Sequence, residues 1–128
     1  MNNLIQVAFY LRSATGNETD LSRQQKVLGK ELVRRGFDSS HCQVGIYIDE
    51  NQSGMMFGSE LNQIIEQVKD GTIDVVMVSR LNRISRSAKG LSTFYDLIRR
   101  HKFRFISENE NIDSSVWPWM CEMANESH

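Results

Sequence analysis

The sequence has few of the features that mark secreted, membrane or low-complexity proteins. Its 128 residues include one proline and two cysteines, and Cys42 and Cys121 are too far apart to suggest metal ligands. No apolar run approaches the roughly 20 residues that a membrane-spanning helix needs. The first residues also lack the charged start and apolar run of a signal peptide. We therefore expect a cytoplasmic protein with reduced thiols and no membrane association.

An excess of charge of one sign is also missing, since 15 Lys and Arg stand against 16 Asp and Glu. This balance conceals a segregation along the chain. Residues 80–104 hold eight Lys and Arg against a single acid, Asp96, whereas residues 105–128 hold five acids and no Lys or Arg. Segregation of this kind predicts a basic functional face and a separate acidic tail.

Short apolar runs alternate with amphipathic stretches along the chain. The apolar runs predict strands at residues 6–11, 45–49, 73–79 and 103–106, and helical spacing predicts helices between and after them. For the first helix, the pattern predicts Asp20 as the N-cap and Gly36 as the C-cap. The alternation predicts an α/β fold, with a mainly parallel sheet of four to five strands and helices on both faces. A length of 128 residues fits one domain over residues 1–128.

Three arginines follow the third predicted strand within seven residues: Arg80, Arg83 and Arg86. In parallel α/β sheets, ligands bind at the carboxyl ends of the strands. The planar, forked guanidinium group suits phosphate. The alternative is a solvated basic helix start, but positive charge at a helix N-terminus opposes the helix dipole. The placement therefore favours an anion site.

The other predicted strand ends add polar groups to the same edge. The first strand ends at Arg12, which Ser13 and Thr15 follow, and the loop after the second strand contains Ser53. Guanidinium and hydroxyl groups together suit a phosphodiester, whose developing charge they could stabilise during displacement. No Gly-x-x-x-x-Gly-Lys loop is present, which argues against an NTPase. No set of carboxylates gathers a divalent metal, so we expect neither metal nor cofactor.

Taken in chain order, the motifs resemble those of the N-terminal catalytic domain of the serine site-specific recombinases, the resolvase/invertase family. Residues 10–15 are similar to the family's Tyr-x-Arg-Val-Ser-Thr, residues 21–24 to its Leu-x-x-Gln, and residues 81–86 to its Leu-Asp-Arg-x-x-Arg. Residues 47–54, 71–78 and 105–114 resemble further segments of the same domain. The resemblance covers nearly the whole chain.

The resemblance implies cleavage and exchange of DNA strands through a phosphoserine-type link, in recombination or integration by a mobile element. It also implies DNA as partner, and a homo-oligomer (a dimer or tetramer on DNA) if the full-length protein is longer. We expect no separate C-terminal DNA-binding domain in this chain. The residues that the resemblance makes catalytic are Arg12, Arg83 and Arg86, with Ser13 or Thr15 as nucleophile, and the candidate DNA- or phosphate-binding residues are Gln24, Ser53, Arg80 and Asn82.

Two positions depart from the family pattern. Ala14 occupies the place of the nucleophilic serine, and Asn82 occupies the place of the acid in Leu-Asp-Arg. Ser13 or Thr15 could attack instead, but adjacent residues on an extended strand point to opposite sides, so the loop would have to rearrange.

Three functional hypotheses remain open. The first is a recombinase with a displaced nucleophile. The second is an inactive domain that binds DNA or a recombinase partner as a regulator. The third is a phosphate- or nucleotide-binding regulator unrelated to DNA, for which small anions would bind with little dependence on polymer length.

Overall fold

A five-stranded sheet organises the residues that the computed structural model describes, which are 4–50 and 56–118. The strands are β1 (Ile5–Ser13), β2 (Cys42–Glu50), β3 (Val75–Val78), β4 (Arg104–Ser107) and β5 (Ile112–Asp113), and the helices are α1 (Glu18–Arg34), α2 (Ser59–Lys69) and α3 (Ala88–His101). The strand order is β2-β1-β3-β4-β5, in which β5 alone runs antiparallel to its neighbour. The predicted mainly parallel α/β sheet is confirmed.

Both faces of the sheet are covered, and the alternation of side chains along β1 divides the core. Phe9 and Leu11 point to the α1 side, where they pack with Leu28. Ala8 and Tyr10 point to the opposite side, into the core formed with α2 and α3. Because both faces are buried, the strand is apolar at consecutive positions and not only at alternate ones.

Phe94 fixes α3 to the sheet. Its side chain is fully buried, and its ring makes edge-to-face contacts with Phe57, Phe103 and Phe105 at centroid distances of 6.2, 5.9 and 5.0 Å. Aromatic pairs in this geometry each contribute about 0.5–1.5 kcal/mol beyond the area they bury. These contacts fix the position of α3. They also fix the end of residues 80–87, which we call the arginine segment, because this segment leads directly into α3.

The start of α1 differs from the prediction. Asn17 is the N-cap, and its side chain accepts a hydrogen bond from the backbone N–H of Asp20 at 3.0 Å. Asp20 lies inside the first turn, where its negative charge favours the helix dipole, and it accepts a hydrogen bond from Gln24. The predicted C-cap is wrong by one residue, because Arg35 is the C-cap and Gly36 follows it with φ of +93°, a left-handed conformation that favours glycine.

The unequal lengths of the central strands shape the carboxyl edge of the sheet. β1 pairs with β2 as far as Ser13, opposite Glu50, whereas its last partner in β3 is Met77, opposite Phe9. β3 ends at Val78, and a 3₁₀ turn at Leu81–Arg83 follows. The end of β1 therefore projects beyond its pairing with β3 and lies beside the arginine segment.

An ion-pair network, which we call the amino-edge cluster, lies where β4 begins and β5 ends. Its members join the end of α1 to β4 and β5: Glu31, Arg34, Arg35, Arg104 and Asp113. Glu31 binds Arg34 and Arg35 at 2.8 and 2.7 Å, and Asp113 binds Arg35 and Arg104 at 3.2 and 2.8 Å. Burial alone would raise the pKa of Asp113, but hydrogen bonds from Arg104 and Ser115 lower it to about 2.

Two further predictions concern the thiols and the membrane. Cys42 is buried and free, while Cys121 lies outside the described residues. Within residues 4–50 and 56–118, no helix is long and apolar enough to cross a membrane.

Candidate functional site

A cavity of about 250 Å³, which we call the arginine cavity, lies at the carboxyl edge of the sheet. It brings together the end of β1, the residues before α2, and the arginine segment. Three of the predicted catalytic residues, Arg12, Arg83 and Arg86, share it. The full set of lining residues is Arg12, Ala14, Met56, Asn82, Arg83, Ser85, Arg86 and Ser87.

An open groove adjoins this cavity on the side of α1. It shares Ala14, Arg83 and Arg86 with the arginine cavity, and it also contains Ser13 and Thr15. The two spaces therefore present the same two arginines to a ligand that is larger than a single phosphate group.

The positive charge of the arginine cavity has little compensation from the protein. The one ion pair recorded for its arginines joins Arg83 to Asp20 at 3.9 Å, and none within 4.0 Å is recorded for Arg12 or Arg86 among the described residues. The Nε atom of Arg83 is buried and has no hydrogen-bond partner in the same part of the chain. A buried donor without a partner costs free energy, so this arrangement favours binding of an anion.

Gln24 holds the backbone of Arg12 and is itself almost fully buried. Its side-chain oxygen accepts from the N–H of Arg12 at 3.2 Å, and its amide nitrogen donates to the carbonyl of Arg12 at 3.0 Å. The same nitrogen donates to Asp20 at 3.1 Å. Gln24, expected from the sequence to bind phosphate, is thus placed where it fixes the strand end that carries Arg12.

The three residues after Arg12 have different surroundings. Ser13 is 4% exposed, and its Oγ accepts a hydrogen bond from the N–H of Asn17 at 3.2 Å. Ala14 is exposed and lines both the arginine cavity and the open groove. Thr15 is exposed in the groove but does not line the arginine cavity. Of these three residues, only Ala14 lines the arginine cavity together with Arg12, Arg83 and Arg86.

The remaining predicted binding residues are not all brought together. Asn82 is exposed and lines the arginine cavity. Arg80 is also exposed, but it lines a separate cavity with Ser79, Arg83 and Glu108. Ser53 lies outside the described residues.

Sequence reasoning missed Ser85 and Ser87, whose hydroxyl groups belong to the arginine cavity. Ser87 caps α3, since its Oγ accepts from the N–H of Gly90 at 2.9 Å. Ser85 Oγ accepts from the N–H of Ser87 at 3.1 Å, and a Cβ atom at position 90 would collide with it. A serine just before a helical pattern signals an N-cap, but the pattern does not show that the same residue faces the arginines.

Carboxylates near this edge have structural partners. The side chain of Asp49, 2% exposed, accepts hydrogen bonds from Tyr10 at 2.8 Å and from the N–H groups of Glu60 and Leu61 at 3.0 and 3.1 Å. Burial, followed by the hydrogen bond to Asp49, raises the pKa of Tyr10. Within residues 4–50 and 56–118, no group of three or more His, Cys, Asp or Glu could hold a metal ion.

Comparisons with known proteins agree with this architecture. Similar solved structures include the N-terminal catalytic domain of TP901-1 integrase, with 27% identity, coverage of 95% of this chain and 93% of that chain, and a TM-score of 0.72. A resolvase family site-specific recombinase from Streptococcus pneumoniae has 21% identity, coverage of 96% and 85%, and a TM-score of 0.69. The C-terminal catalytic domain of ISC1926 TnpA, an IS607-like serine recombinase, has 19% identity, coverage of 81% and 70%, and a TM-score of 0.66.

The last two structures show a shared fold only, because their identities are low. The comparison with curated protein sequences finds no match. The family model of the resolvase N-terminal domain matches residues 7–116, which include every residue of the arginine cavity. The chain therefore belongs to the family of resolvase N-terminal domains.

Proposed function

We propose that this domain binds the phosphodiester backbone of DNA in the arginine cavity, as a recombinase-like protein that does not itself cut the strand. The observation that carries the proposal is that Ala14 lines the same cavity as Arg12, Arg83 and Arg86. The cavity thus combines three cations with a methyl group where the family's nucleophile is expected.

The binding part of the proposal rests on charge. Guanidinium groups form short, charge-assisted hydrogen bonds with phosphate oxygens. The arginines of this cavity have almost no carboxylate partners among the described residues, in contrast to Arg35 and Arg104. A polyanion that releases its counterions on binding would neutralise this charge.

The proposed lack of DNA cleavage rests on the surroundings of the hydroxyl groups near the cavity. An alanine methyl group has no lone pair with which to attack phosphorus. Ser13 is buried, and its Oγ already accepts a hydrogen bond from Asn17. Ser85 and Ser87 face the cavity, but the hydrogen bonds at the start of α3 engage their hydroxyls.

A titration of the intact protein with fluorescent DNA duplexes tests this proposal. We expect anisotropy to report binding that weakens steeply with salt, persists with EDTA, and strengthens with duplex length. Inorganic phosphate should compete only at much higher concentration, because one phosphate contacts one part of the site. Binding of phosphate and DNA with equal affinity, independent of duplex length, would overturn the proposal in favour of a small-anion regulator.

A second candidate is a recombinase that cuts DNA through Thr15. The observation in its favour is that Thr15 is exposed in the open groove beside Arg83 and Arg86. Its hydroxyl oxygen would form a bond to phosphorus, lose its proton to solvent, and displace the 3′ oxygen of the cut strand. The product would be a covalent 5′-phosphothreonine adduct.

Incubation with nicked or gapped duplexes, followed by detergent and peptide mass spectrometry, distinguishes the two candidates. The main proposal predicts binding without an adduct. An adduct that maps to Thr15, and that disappears in Thr15→Ala, would establish the second candidate.

We also propose that residues 1–128 act as one domain that assembles as a homo-oligomer on DNA. The match of the family model to residues 7–116 supports a single unit. Light scattering with and without duplex should show more than one protein per DNA, and a strict one-to-one complex would contradict this part of the proposal.

A further inference from the structure

The turn between β4 and β5 contacts the arginine segment through the carboxylate of Glu110. The backbone N–H of Leu81 donates to both oxygens of this carboxylate, at 3.1 and 3.2 Å. On the other side, the hydroxyl of Ser107 donates to Oε1 at 2.5 Å. Glu110 therefore connects the end of β4 with the start of the arginine segment.

This contact lies at the first residue of the 3₁₀ turn within the arginine segment. Leu81 begins the 3₁₀ turn Leu81–Arg83, so its N–H has no acceptor within the turn itself. Arg80 immediately precedes the turn and Arg83 ends it. In a turn of only three residues, an anchor at the first N–H constrains the direction in which the arginines project.

The arginine segment contains no acid of its own. Asn82 occupies the position where the resemblance leads us to expect a carboxylate, and residues 80–87 otherwise contain neutral or basic side chains. The carboxylate that contacts the backbone of this segment comes instead from Glu110, on a different element.

We infer that Glu110 is a positioning residue, which holds the start of the arginine segment so that Arg83 and Arg86 face the arginine cavity together with Arg12. The inference deepens the proposed function and rests on it for the identity of the anion that the arginines bind. The contact itself is a property of the free protein.

The ionisation of Glu110 agrees with this role. Burial raises its pKa, but the hydrogen bonds from Ser107 and from the N–H of Leu81 outweigh burial and lower it overall. The ionised carboxylate is the form that accepts hydrogen bonds with both oxygens. Burial raises the pKa of Tyr95, and the negative charge of Glu110 raises it further.

Removal of the Glu110 carboxylate should change DNA affinity in opposite directions, depending on whether its charge or its positioning of the arginines matters more. An acid near arginines weakens the attraction of DNA, so its loss should strengthen binding if charge alone matters. If Glu110 positions the arginines, its loss should weaken binding instead. Glu108 provides a matched control, because it lies on the same turn and lines a cavity with Arg80 and Arg83, yet its carboxylate has no recorded hydrogen bond to residues 80–87 among the described residues.

The experiment compares Glu110→Ala, Glu110→Gln and Glu108→Ala in the full chain, with two measurements. Amide hydrogen exchange by NMR reports the Leu81 N–H in the absence of DNA. We expect exchange at Leu81 to be about tenfold faster in Glu110→Ala, the factor that corresponds to one net hydrogen bond. Glu110→Gln retains one acceptor oxygen and should be intermediate, while Glu108→Ala should exchange as the unmodified protein does.

The second measurement is the affinity for a DNA duplex at fixed salt. Glu110→Ala should bind several-fold more weakly, although it has lost a negative charge, and Glu108→Ala should bind equally or more tightly. Equal Leu81 exchange in all variants, or equal or tighter DNA binding by Glu110→Ala, would overturn the inference. If the unmodified protein bound no DNA, the proposed function would fail, and the exchange measurement would still decide whether Glu110 holds the segment.

Discussion

The two edges of the sheet use arginine in opposite ways. At the amino edge, Arg35 and Arg104 lie 2.7–3.2 Å from carboxylates that are almost fully buried. At the carboxyl edge, Arg83 has one distant carboxylate partner at 3.9 Å, and no ion pair is recorded for Arg12 or Arg86 within the described part of the chain. The same residue type therefore completes the fold at one edge and remains available to a ligand at the other.

The difference follows from the cost of burying charge. Glu31 and Asp113, with exposures of 3% and 6%, would be strongly destabilising without cations beside them. Arg35 and Arg104 are thus required by the fold. Among residues 4–50 and 56–118, no ion pair within 4.0 Å is recorded for Arg12 or Arg86, so a bound anion would relieve the repulsion among the arginines of the cavity.

The largest effect should come from placing a serine and an aspartate at the two positions of the carboxyl edge that depart from the family pattern. In the variant Ala14→Ser with Asn82→Asp, a hydroxyl would lie in the cavity beside the three arginines. We expect a covalent protein–DNA adduct at residue 14, where the unmodified protein gives none, because the arginines can stabilise the charge that develops on phosphorus. Denaturing gels and peptide mass spectrometry measure the adduct.

Asn82→Asp alone is the control, since it changes the charge without adding a nucleophile. The prediction would be contradicted if the double variant bound DNA normally but gave no more adduct than this control. The arginines would then be placed for binding and not for catalysis.

At the amino edge, removal of Asp113 should produce the largest loss of stability. Asp113→Ala leaves Arg35 and Arg104 without their shared carboxylate, and we expect the free energy of unfolding to fall by about 3 kcal/mol. Urea titration measures this change, with DNA affinity unaffected. Glu66→Ala is a suitable comparison, because Glu66 is 73% exposed and forms an ion pair with Lys69 at the surface, where such a pair contributes less than about 1 kcal/mol. Equal losses for the two variants would mean that the amino-edge cluster does not hold the fold.

A smaller effect should appear in the dependence of stability on pH. The pKa of Asp113 is about 2 in the folded protein, against an ordinary value of 3.8. A lowered folded-state pKa contributes stability above the unfolded value, and this contribution disappears as pH falls from about 4 towards 2. We expect about 2 kcal/mol of acid-sensitive stability that Asp113→Asn lacks. Parallel pH profiles of unfolding for the two proteins would contradict this assignment.

The smallest predicted effects are changes in stability caused by single arginine substitutions at the two edges. Arg34 is 64% exposed although it is paired with Glu31, so Arg34→Ala should cost less than about 1 kcal/mol of stability. Arg86→Ala removes a cation with no recorded ion pair in the described residues, and should leave stability unchanged or slightly higher. Urea midpoints measured side by side test the contrast. A clear loss of stability in Arg86→Ala would show that this arginine also supports the fold.

The sequence was sufficient to predict the sheet, the covering helices and the convergence of Arg12, Arg83 and Arg86, because these depend on strand patterns and on the edge where parallel strands end. It did not predict β5, since two residues carry too little pattern. It also assigned the cap of α1 to Asp20, because Asn17 and Asp20 can both cap a helix. In the fold Asn17 is the cap, while the side chain of Asp20 accepts a hydrogen bond from Gln24.

The surroundings of the hydroxyl groups were equally hidden from the sequence. From the sequence alone, Ser13 and Thr15 are equivalent candidates for the nucleophile. In the fold, a hydrogen bond from Asn17 holds the Ser13 side chain in a buried position, while Thr15 is exposed. The contact between Glu110 and Leu81 joins residues 29 positions apart, so no local pattern could indicate it.

The most direct test compares two arginines of the arginine cavity with two paired surface arginines in DNA binding. One variant removes Arg83 and Arg86, both as alanine. The other removes Arg34 and Arg100, which are exposed and paired with Glu31 and Asp96. Both lose two positive charges, so a difference between them reports position and not net charge.

The measurement is duplex affinity across a series of salt concentrations. We predict that Arg83→Ala with Arg86→Ala weakens binding by at least about tenfold and reduces the slope of log affinity against log salt by about two. Arg34→Ala with Arg100→Ala should change both quantities little. Equal loss of affinity and slope in the two variants would contradict the claim that the arginines of the arginine cavity form the DNA site.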